Sequence, residues 1–163
     1  MTIESFLSNF DSGYRPNRFQ VEIDGIDTRL KFLCRSATIP SSEIGVIDVP
    51  YQGISIPIPG DRPGGRTWEI EVFADVNFAV RDDLELWSEL IRPQEIPGGL
   101  NVVGAIRTAT VDLLGTNGEV LRTYRMLRCW PSVIGELSLS HDTTDTIAVY
   151  PITFTFTNWS TII

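Results

Sequence analysis

The side chains best suited to catalysis or metal binding are few and far apart in this sequence. The single histidine, His141, lies between Ser140 and Asp142 in the segment SLSHDTTD. A catalytic triad needs three converging side chains, whereas neighbours on an extended chain point to opposite sides. One histidine and the distant Cys34 and Cys129 do not make a zinc site either. We therefore expect a turn at Ser140–Asp142 and no metal site.

The remaining candidates for chemistry also have simpler interpretations. The segment GDRPGGRT (60–67) is rich in glycine, but it lacks the lysine and the strand–loop–helix context of a P-loop. Asp82, Asp83 and Glu85 are expected on the solvated face of a helix, and no carboxylate pair is placed for acid–base catalysis. We expect no enzyme and no cofactor. The alternatives of another class, a small-ligand-binding β-barrel or a hydrolase, would need a pocket with convergent polar groups.

Composition favours one soluble domain over residues 1–163, with 42% hydrophobic and 21% charged residues. A net charge of −8 argues against stable nucleic-acid binding, which needs a basic face. No run approaches the roughly 20 apolar residues that span a bilayer, so membrane insertion is not expected. The start MTIESFLSNF carries Glu4 and no basic segment, so we expect no signal peptide. The two cysteines are expected to be buried free thiols, with a disulfide as the alternative.

The elements that must position these residues are mostly strands. Alternating apolar residues predict strands at 18–24, 30–38, 66–73, 107–114, 119–129 and 145–158. Asp24-Gly25 is a hairpin signal between the first two strands, and Asn117-Gly118 suits a type I′ turn. In the last strand the inward parity shifts, which predicts a bulge near Pro151.

One helix is predicted at about 77–92. Val80, Leu84, Trp87 and Ile91 form one apolar stripe at helical spacing, with Asn77 as the cap and Pro93 after the end. The sum is a mainly β fold, an antiparallel β-sandwich or barrel with one flanking α-helix. The residues expected in its core are Trp68, Leu84, Trp87, Phe154 and Phe156.

An extended β-hairpin arm is predicted at about 40–66, with strands at 44–49 and 53–58. In GISIPIPGDRPGG, Ile54, Ile56 and Ile58 alternate with Ser55, Pro57 and Pro59. Proline has no backbone N–H, so one edge of this strand cannot pair. Exposed isoleucines are costly in a monomer, and a second copy of the chain would cover them. The candidate interface residues are Ile54, Ile56, Ile58, Arg62 and Arg66.

Four stretches carry a resemblance to a known family: RPNRFQVEI (15–23), FLCRSATIP (32–40), GDRPGGRTWEIEV (60–72) and WPSVIGELSL (130–139). With the helix and the aromatic C-terminal strand, the chain resembles the tail tube proteins of contractile-tailed, T4-like bacteriophages. The resemblance implies a fold shared with the type VI secretion tube protein and the role of a structural virion protein. It also implies that the long hairpin, here about Ile44–Arg66, reaches neighbouring subunits.

The same resemblance implies the assembly and its partners. Hexameric rings stack into a hollow tube inside a contractile sheath, and the tube is driven through the host envelope and conducts DNA. The partners would be the chain itself, the sheath, baseplate and tail-terminator proteins, and, transiently in the lumen, the tape measure protein and DNA. Synthesis would be in the host cytoplasm, and the lumen is expected to be acidic. The alternatives are a tube initiator, terminator or baseplate adaptor of this fold, or the tube of a tail-like injection or secretion system.

Overall fold

The computed structural model describes residues 2–10, 13–63, 66–92 and 102–163. The strands are β1 (Phe19–Ile23), β2 (Cys34–Ala37), β3 (Val46–Tyr51), β4 (Ile54–Pro59), β5 (Arg66–Phe73), β6 (Arg107–Leu114), β7 (Val120–Ile134), β8 (Val149–Phe156) and β9 (Asn158–Ile162). The helices are α1 (Ile3–Asn9), α2 (Leu30–Leu33), α3 (Ala79–Ile91) and α4 (Val102–Ala105).

Seven strands form one antiparallel sheet in the order β1-β6-β7-β8-β5-β2, with β9 paired to β7. The long strand β7 pairs with β6 and β9 in its first part and with β8 in its last part. The sheet therefore has two halves that share β7. Among the described residues β1 and β2 do not pair, so the predicted antiparallel β fold with a flanking helix is confirmed in an open form, not as a closed barrel.

Both halves of the sheet contribute to one hydrophobic core. Val21 and Val111 come from the β1 half, and Trp68 and Phe154 come from the β5 half. The five predicted core residues, Trp68, Leu84, Trp87, Phe154 and Phe156, are all at most 2% exposed. Strand β5 shows the expected alternation, since Trp68, Ile70 and Val72 are buried and the glutamates between them face outward.

Helix α3 packs its apolar stripe on this core. Val80, Leu84 and Trp87 are buried, as the helical spacing predicts. The Trp87 ring lies 6.1 Å from the Phe154 ring, and its Nε1 donates a 2.6 Å hydrogen bond to the carbonyl of Ala105. The predicted cap at Asn77 is wrong. The N-cap is Phe78, in the left-handed region with φ 52°, because a turn in which the Phe78 N–H bonds the Asp75 carbonyl precedes the helix.

The predicted hairpin at Asp24-Gly25 is wrong. Strand β1 pairs with β6, and β2 pairs with β5. Residues 30–33, predicted as strand, form the short helix α2. The side chain of Asp27 accepts from the Arg29 N–H at 2.8 Å, and its carbonyl accepts from the Leu30 N–H at 3.0 Å. These local bonds favour a helical turn over an extended chain.

Two further local predictions are wrong. Only Gly118 of the 117–118 pair has a positive φ, 81°, and it follows a turn in which its N–H bonds the Gly115 carbonyl at 3.3 Å. This is a type I turn with a left-handed glycine, not type I′. Strand β8 pairs with β5 without a register shift through Pro151, and its core-facing residues run regularly from Tyr150 to Phe156. The irregularity lies in β7 between Pro131 and Val133. The segment PGGL (97–100), whose proline and glycines predict a loop, lies outside the described residues.

Candidate subunit interface

The arm contains a hairpin of its own, β3 and β4, which form a separate two-stranded sheet. Gln52 and Gly53 connect the strands with φ values of 48° and 81°. Two successive positive φ values define a type I′ turn, whose twist matches that of the flanking strands. The strands lie one to two residues later than predicted, because this turn sets the register at Tyr51↔Ile54.

Two backbone hydrogen bonds close the root of the arm hairpin. The Gly45 N–H donates to the Asp61 carbonyl at 2.8 Å, and the Gly60 N–H donates to the Gly45 carbonyl at 2.7 Å. A Cβ atom on Gly45 would lie 2.8 Å from the Asp61 oxygen, which real side chains do not tolerate. Glycine at this position therefore allows the two chains to approach closely at the root.

The isoleucines predicted at the interface are exposed in the single chain. Ile54, Ile56 and Ile58 are 69%, 45% and 42% exposed. Their own domain leaves this apolar surface in water, as expected for side chains that a second copy covers. Their cross-strand partners, which the sequence alone does not identify, are also apolar: Tyr51, Val49 and Ile47. Residues 47, 49 and 51 are apolar at every second position, which indicates an apolar face once the pairing with residues 58, 56 and 54 is known.

Arg62 and Arg66 lie beside the arm root, where they line a groove with Ser42, Pro63 and the start of β9. The Arg62 guanidinium donates to the Ser42 hydroxyl at 3.1 Å. Within the described part of the chain, neither arginine has a salt bridge. Both are therefore free to pair with a carboxylate from another subunit, a geometry for which the guanidinium fork is well suited.

A second apolar surface, missed by the sequence analysis, lies on α1. A capping box at Thr2 and Ser5 starts this helix. Ile3, Phe6, Leu7 and Phe10 are each more than half exposed, and the rings of Phe6 and Phe10 stack at 5.0 Å. Their spacing of i, i+3, i+4 and i+7 is the helical signal that identifies such a face from sequence.

The chemically reactive side chains that the sequence singles out form no candidate metal site within the described residues. No group of three or more histidine, cysteine or acidic residues is positioned to hold a metal ion in the described ranges. Ser140 and Asp142 form the expected local turn, in which the Asp142 N–H bonds the Ser140 hydroxyl at 3.3 Å. Cys34 and Cys129 are free thiols, Cys129 buried and Cys34 partly exposed, and burial raises the pKa of each to about 12. Of the helices described, none is long and apolar enough to cross a membrane.

Comparison with known proteins decides the family. The model of the phage tail tube protein family matches residues 6–162. The chain belongs to the phage tail tube protein family. It is 27% identical over 164 residues to the tail tube protein of Enterobacteria phage T4, covering 98% of this chain and 99% of the relative. It is thus a structural subunit of a contractile-tail tube.

Solved structures of other tube-like proteins share the fold of this tail tube protein. The sheath/tube terminator of the PVC extracellular contractile injection system superposes with a TM-score of 0.72, 18% identity, and 93% and 97% coverage of the two chains. The sheath–tube complex of that system superposes with a TM-score of 0.67, 15% identity, and 99% and 98% coverage. At these identities the likeness concerns the fold.

Proposed function

We propose that the chain forms hexameric rings that stack into the hollow inner tube of a contractile phage tail. A sheath surrounds the tube, baseplate and terminator proteins bind its two ends, and the tape measure protein and then DNA occupy the lumen. Family membership over residues 6–162 carries this proposal. The exposed arm supports it, because a self-assembling subunit must present surfaces that its own core leaves uncovered.

The arm supplies binding energy between subunits in this proposal. About half of the surface of Ile54, Ile56 and Ile58 is available for burial. At about 25 cal/mol per Å² of apolar surface, each would contribute about 1–2 kcal/mol when covered. Arg62 and Arg66, beside the root, would add charge-assisted hydrogen bonds to carboxylates of the neighbouring copy. Together these contacts would supply a large share of the binding free energy between two neighbouring subunits.

A polar face of the sheet has the properties of a lumen lining. Val21 and Val111 point to the core, so Gln20, Glu22 and Asp112 lie on the opposite face. Asp112 accepts from Gln20 Nε2 at 2.9 Å and from the Thr123 hydroxyl at 2.5 Å. The polar side chains of Gln20, Asp112 and Thr123 therefore hydrogen-bond to one another and offer fewer free groups to a passing molecule. Glu22 and Asp112 outnumber Arg125, which lies opposite Thr110 on the same face, and this excess of carboxylate charge would limit adhesion of DNA phosphates to the wall.

Replacing the three arm isoleucines with serine tests the role of the arm. The triple variant should keep the circular dichroism spectrum and melting temperature of the free subunit, because the arm is separate from the core. It should fail to extend tubes from purified baseplates, as seen by electron microscopy. Unfolding of the variant would mean that the arm belongs to the domain's own core. Tubes of normal length would mean that other surfaces hold the rings together.

A terminator of the same fold is the second candidate, because the PVC sheath/tube terminator shows that this fold also occurs at the end of a tube. A tube subunit is present in as many copies as the rings of the tail require, whereas a terminator forms only the end of a tube. Quantitative mass spectrometry of purified particles separates the two. A copy number that grows with tail length supports the tube, and a few copies regardless of length support the terminator.

A further inference from the structure

The positions of the prolines in the arm hairpin decide which of its surfaces can bind. In an antiparallel pair, opposite residues alternate between hydrogen-bonded and non-hydrogen-bonded positions. The root bond from the Gly60 N–H to the Gly45 carbonyl marks Gly45 and Gly60 as a hydrogen-bonded pair. Counting by twos along the register makes Ile47↔Ile58, Val49↔Ile56 and Tyr51↔Ile54 the hydrogen-bonded pairs.

All three prolines of the hairpin then occupy non-hydrogen-bonded positions. Pro57 lies opposite Asp48, Pro59 opposite Val46, and Pro50 opposite Ser55. At such positions the backbone N–H points away from the partner strand, toward the outer edge. The inner ladder therefore loses nothing, while the outer edge of β4 keeps a single N–H, that of Ser55. A new strand cannot form a continuous ladder on such an edge.

The two faces of the hairpin carry different sets of side chains. Directly opposite residues share a face, so six large side chains stand on one side: Ile47, Val49, Tyr51, Ile54, Ile56 and Ile58. Each is between 39% and 69% exposed. The other side carries Val46, Asp48, Pro50, Ser55, Pro57 and Pro59, and Asp48 is the only charged residue in 46–59.

We propose that the arm hairpin binds a second copy of the chain through this six-residue apolar face, and that Pro57 and Pro59 prevent strand addition along the outer edge of β4. The proposal rests on the proposed tube function and adds to it the mode of contact. Half-exposed side chains of about 150–200 Å² each give roughly 500 Å² of apolar surface, over half of the ~800 Å² that each partner of a standard interface buries. With one charge in 14 residues, the hairpin offers nucleic acid no electrostatic attraction.

The second copy is the occupant that the assembly makes available at high local concentration. Each subunit has one arm, and an arm that docks on a different surface of the next copy makes a head-to-tail contact, which closes into a ring or continues along a tube. An open strand edge on the same arm would allow free subunits to join in uncontrolled chains before nucleation. Proline at the outward positions of β4 closes that edge while leaving the apolar face available, and the outer edge of β3, with Pro50, keeps the outward N–H groups of Val46 and Asp48.

Two valines of the same strand provide a matched test of the face. Val49 belongs to the apolar face, and Val46 stands on the opposite side, where it is even more exposed, 68% against 39%. We expect V49S to raise the subunit concentration needed for tube growth from baseplates about tenfold, which corresponds to about 1.4 kcal/mol. V46S should change it less than twofold. Equal effects of the two variants, or none from either, would overturn the proposal.

Restoring an outward donor tests the edge. P57V adds a backbone N–H to the outer edge of β4, and S55V changes a side chain on the same face without adding a donor. We expect P57V, and not S55V, to make the free subunit associate into concentration-dependent species by light scattering, while baseplates still nucleate tubes. If P57V stays monomeric, the prolines do not guard the edge. If P57V strengthens tube contacts instead, strand addition is the native mode.

Two further observations separate the possible causes of failure. If the wild-type chain bound anionic phospholipid vesicles and V49S did not, while V49S still grew normal tubes, the apolar face would bind a membrane. This result would overturn the proposal. If the wild-type chain forms no hollow tubes in native particles, the proposed function itself fails. If wild-type tubes form but V46S and V49S behave alike, only the mode of arm binding is wrong.

Discussion

Trp87→Ala should be among the single substitutions that destabilise the fold of the subunit most. The Trp87 side chain is 0% exposed and packs against Phe154. Emptying such a site costs about 3–5 kcal/mol. The substitution also leaves the Ala105 carbonyl without its 2.6 Å hydrogen bond and removes the ring 4.5 Å from the Arg107 guanidinium. These losses place the expected change in the free energy of unfolding near the upper limit, about 5 kcal/mol.

The melting temperature of the free subunit provides the measurement. About 5 kcal/mol corresponds to a decrease of roughly 10–20 °C in a chain of this size. Leu86→Ala is the matched control, because Leu86 lies on the same helix and is 63% exposed, so it should change stability by at most about 0.5 kcal/mol. Trp87→Phe should cost less than Trp87→Ala, since it keeps most of the packing. If Trp87→Ala melted like Leu86→Ala, the position of α3 on the core would be wrong.

Three other outcomes follow from charge and burial. Burial raises the pKa of Cys34, Cys129 and Tyr150 to about 12. Because these groups lose their protons at lower pH in the unfolded chain than in the folded one, the free energy of unfolding should decrease as the pH rises above the unfolded pKa values. The urea concentration at the unfolding midpoint should therefore be constant up to about pH 8.5 and decrease toward pH 11. The free subunit should not shift duplex DNA in low-salt electrophoresis, where screening is weakest, and tight salt-sensitive binding would contradict an acidic, non-adhesive lumen. Glu22→Lys should slow DNA ejection from otherwise normal particles, because a lysine in the lumen wall would attract the DNA phosphates. Glu136→Lys, after the end of β7, should not slow it. Equal ejection rates for the two variants would mean that Glu22 does not line the lumen.

The core of this protein can be predicted from the periodic spacing of apolar residues in the sequence. In β5 and α3, alternation and helical spacing each identify a single face, and Trp68 and Trp87 lie on it. The strand pairing was less accessible. Asp24-Gly25 does turn, with Gly25 at φ 75°, but the residues that follow find local hydrogen bonds with Asp27. The strand after them then pairs with β5, a contact that no local signal encodes.

The interface illustrates a different limit of sequence reasoning. The period-2 pattern and prolines at 54–59 identify an unusual strand, and Ile54, Ile56 and Ile58 stand out by their spacing. Which face and which edge they occupy depends on the register, and the register depends on the turn at Gln52-Gly53. Gln52 has no strong preference for a positive φ, so the residue types alone do not identify this turn. The apolar partners of the isoleucines in β3 therefore became visible only in the structure.

The most direct test of the proposed function is a three-dimensional reconstruction of assembled native particles by cryo-electron microscopy. We expect stacked rings of six copies around a continuous channel, with the arm of each copy covered by a neighbouring subunit and Ile54, Ile56 and Ile58 removed from solvent. Particles in which this chain forms no hollow tube, or rings with a number of subunits other than six, would contradict the proposal.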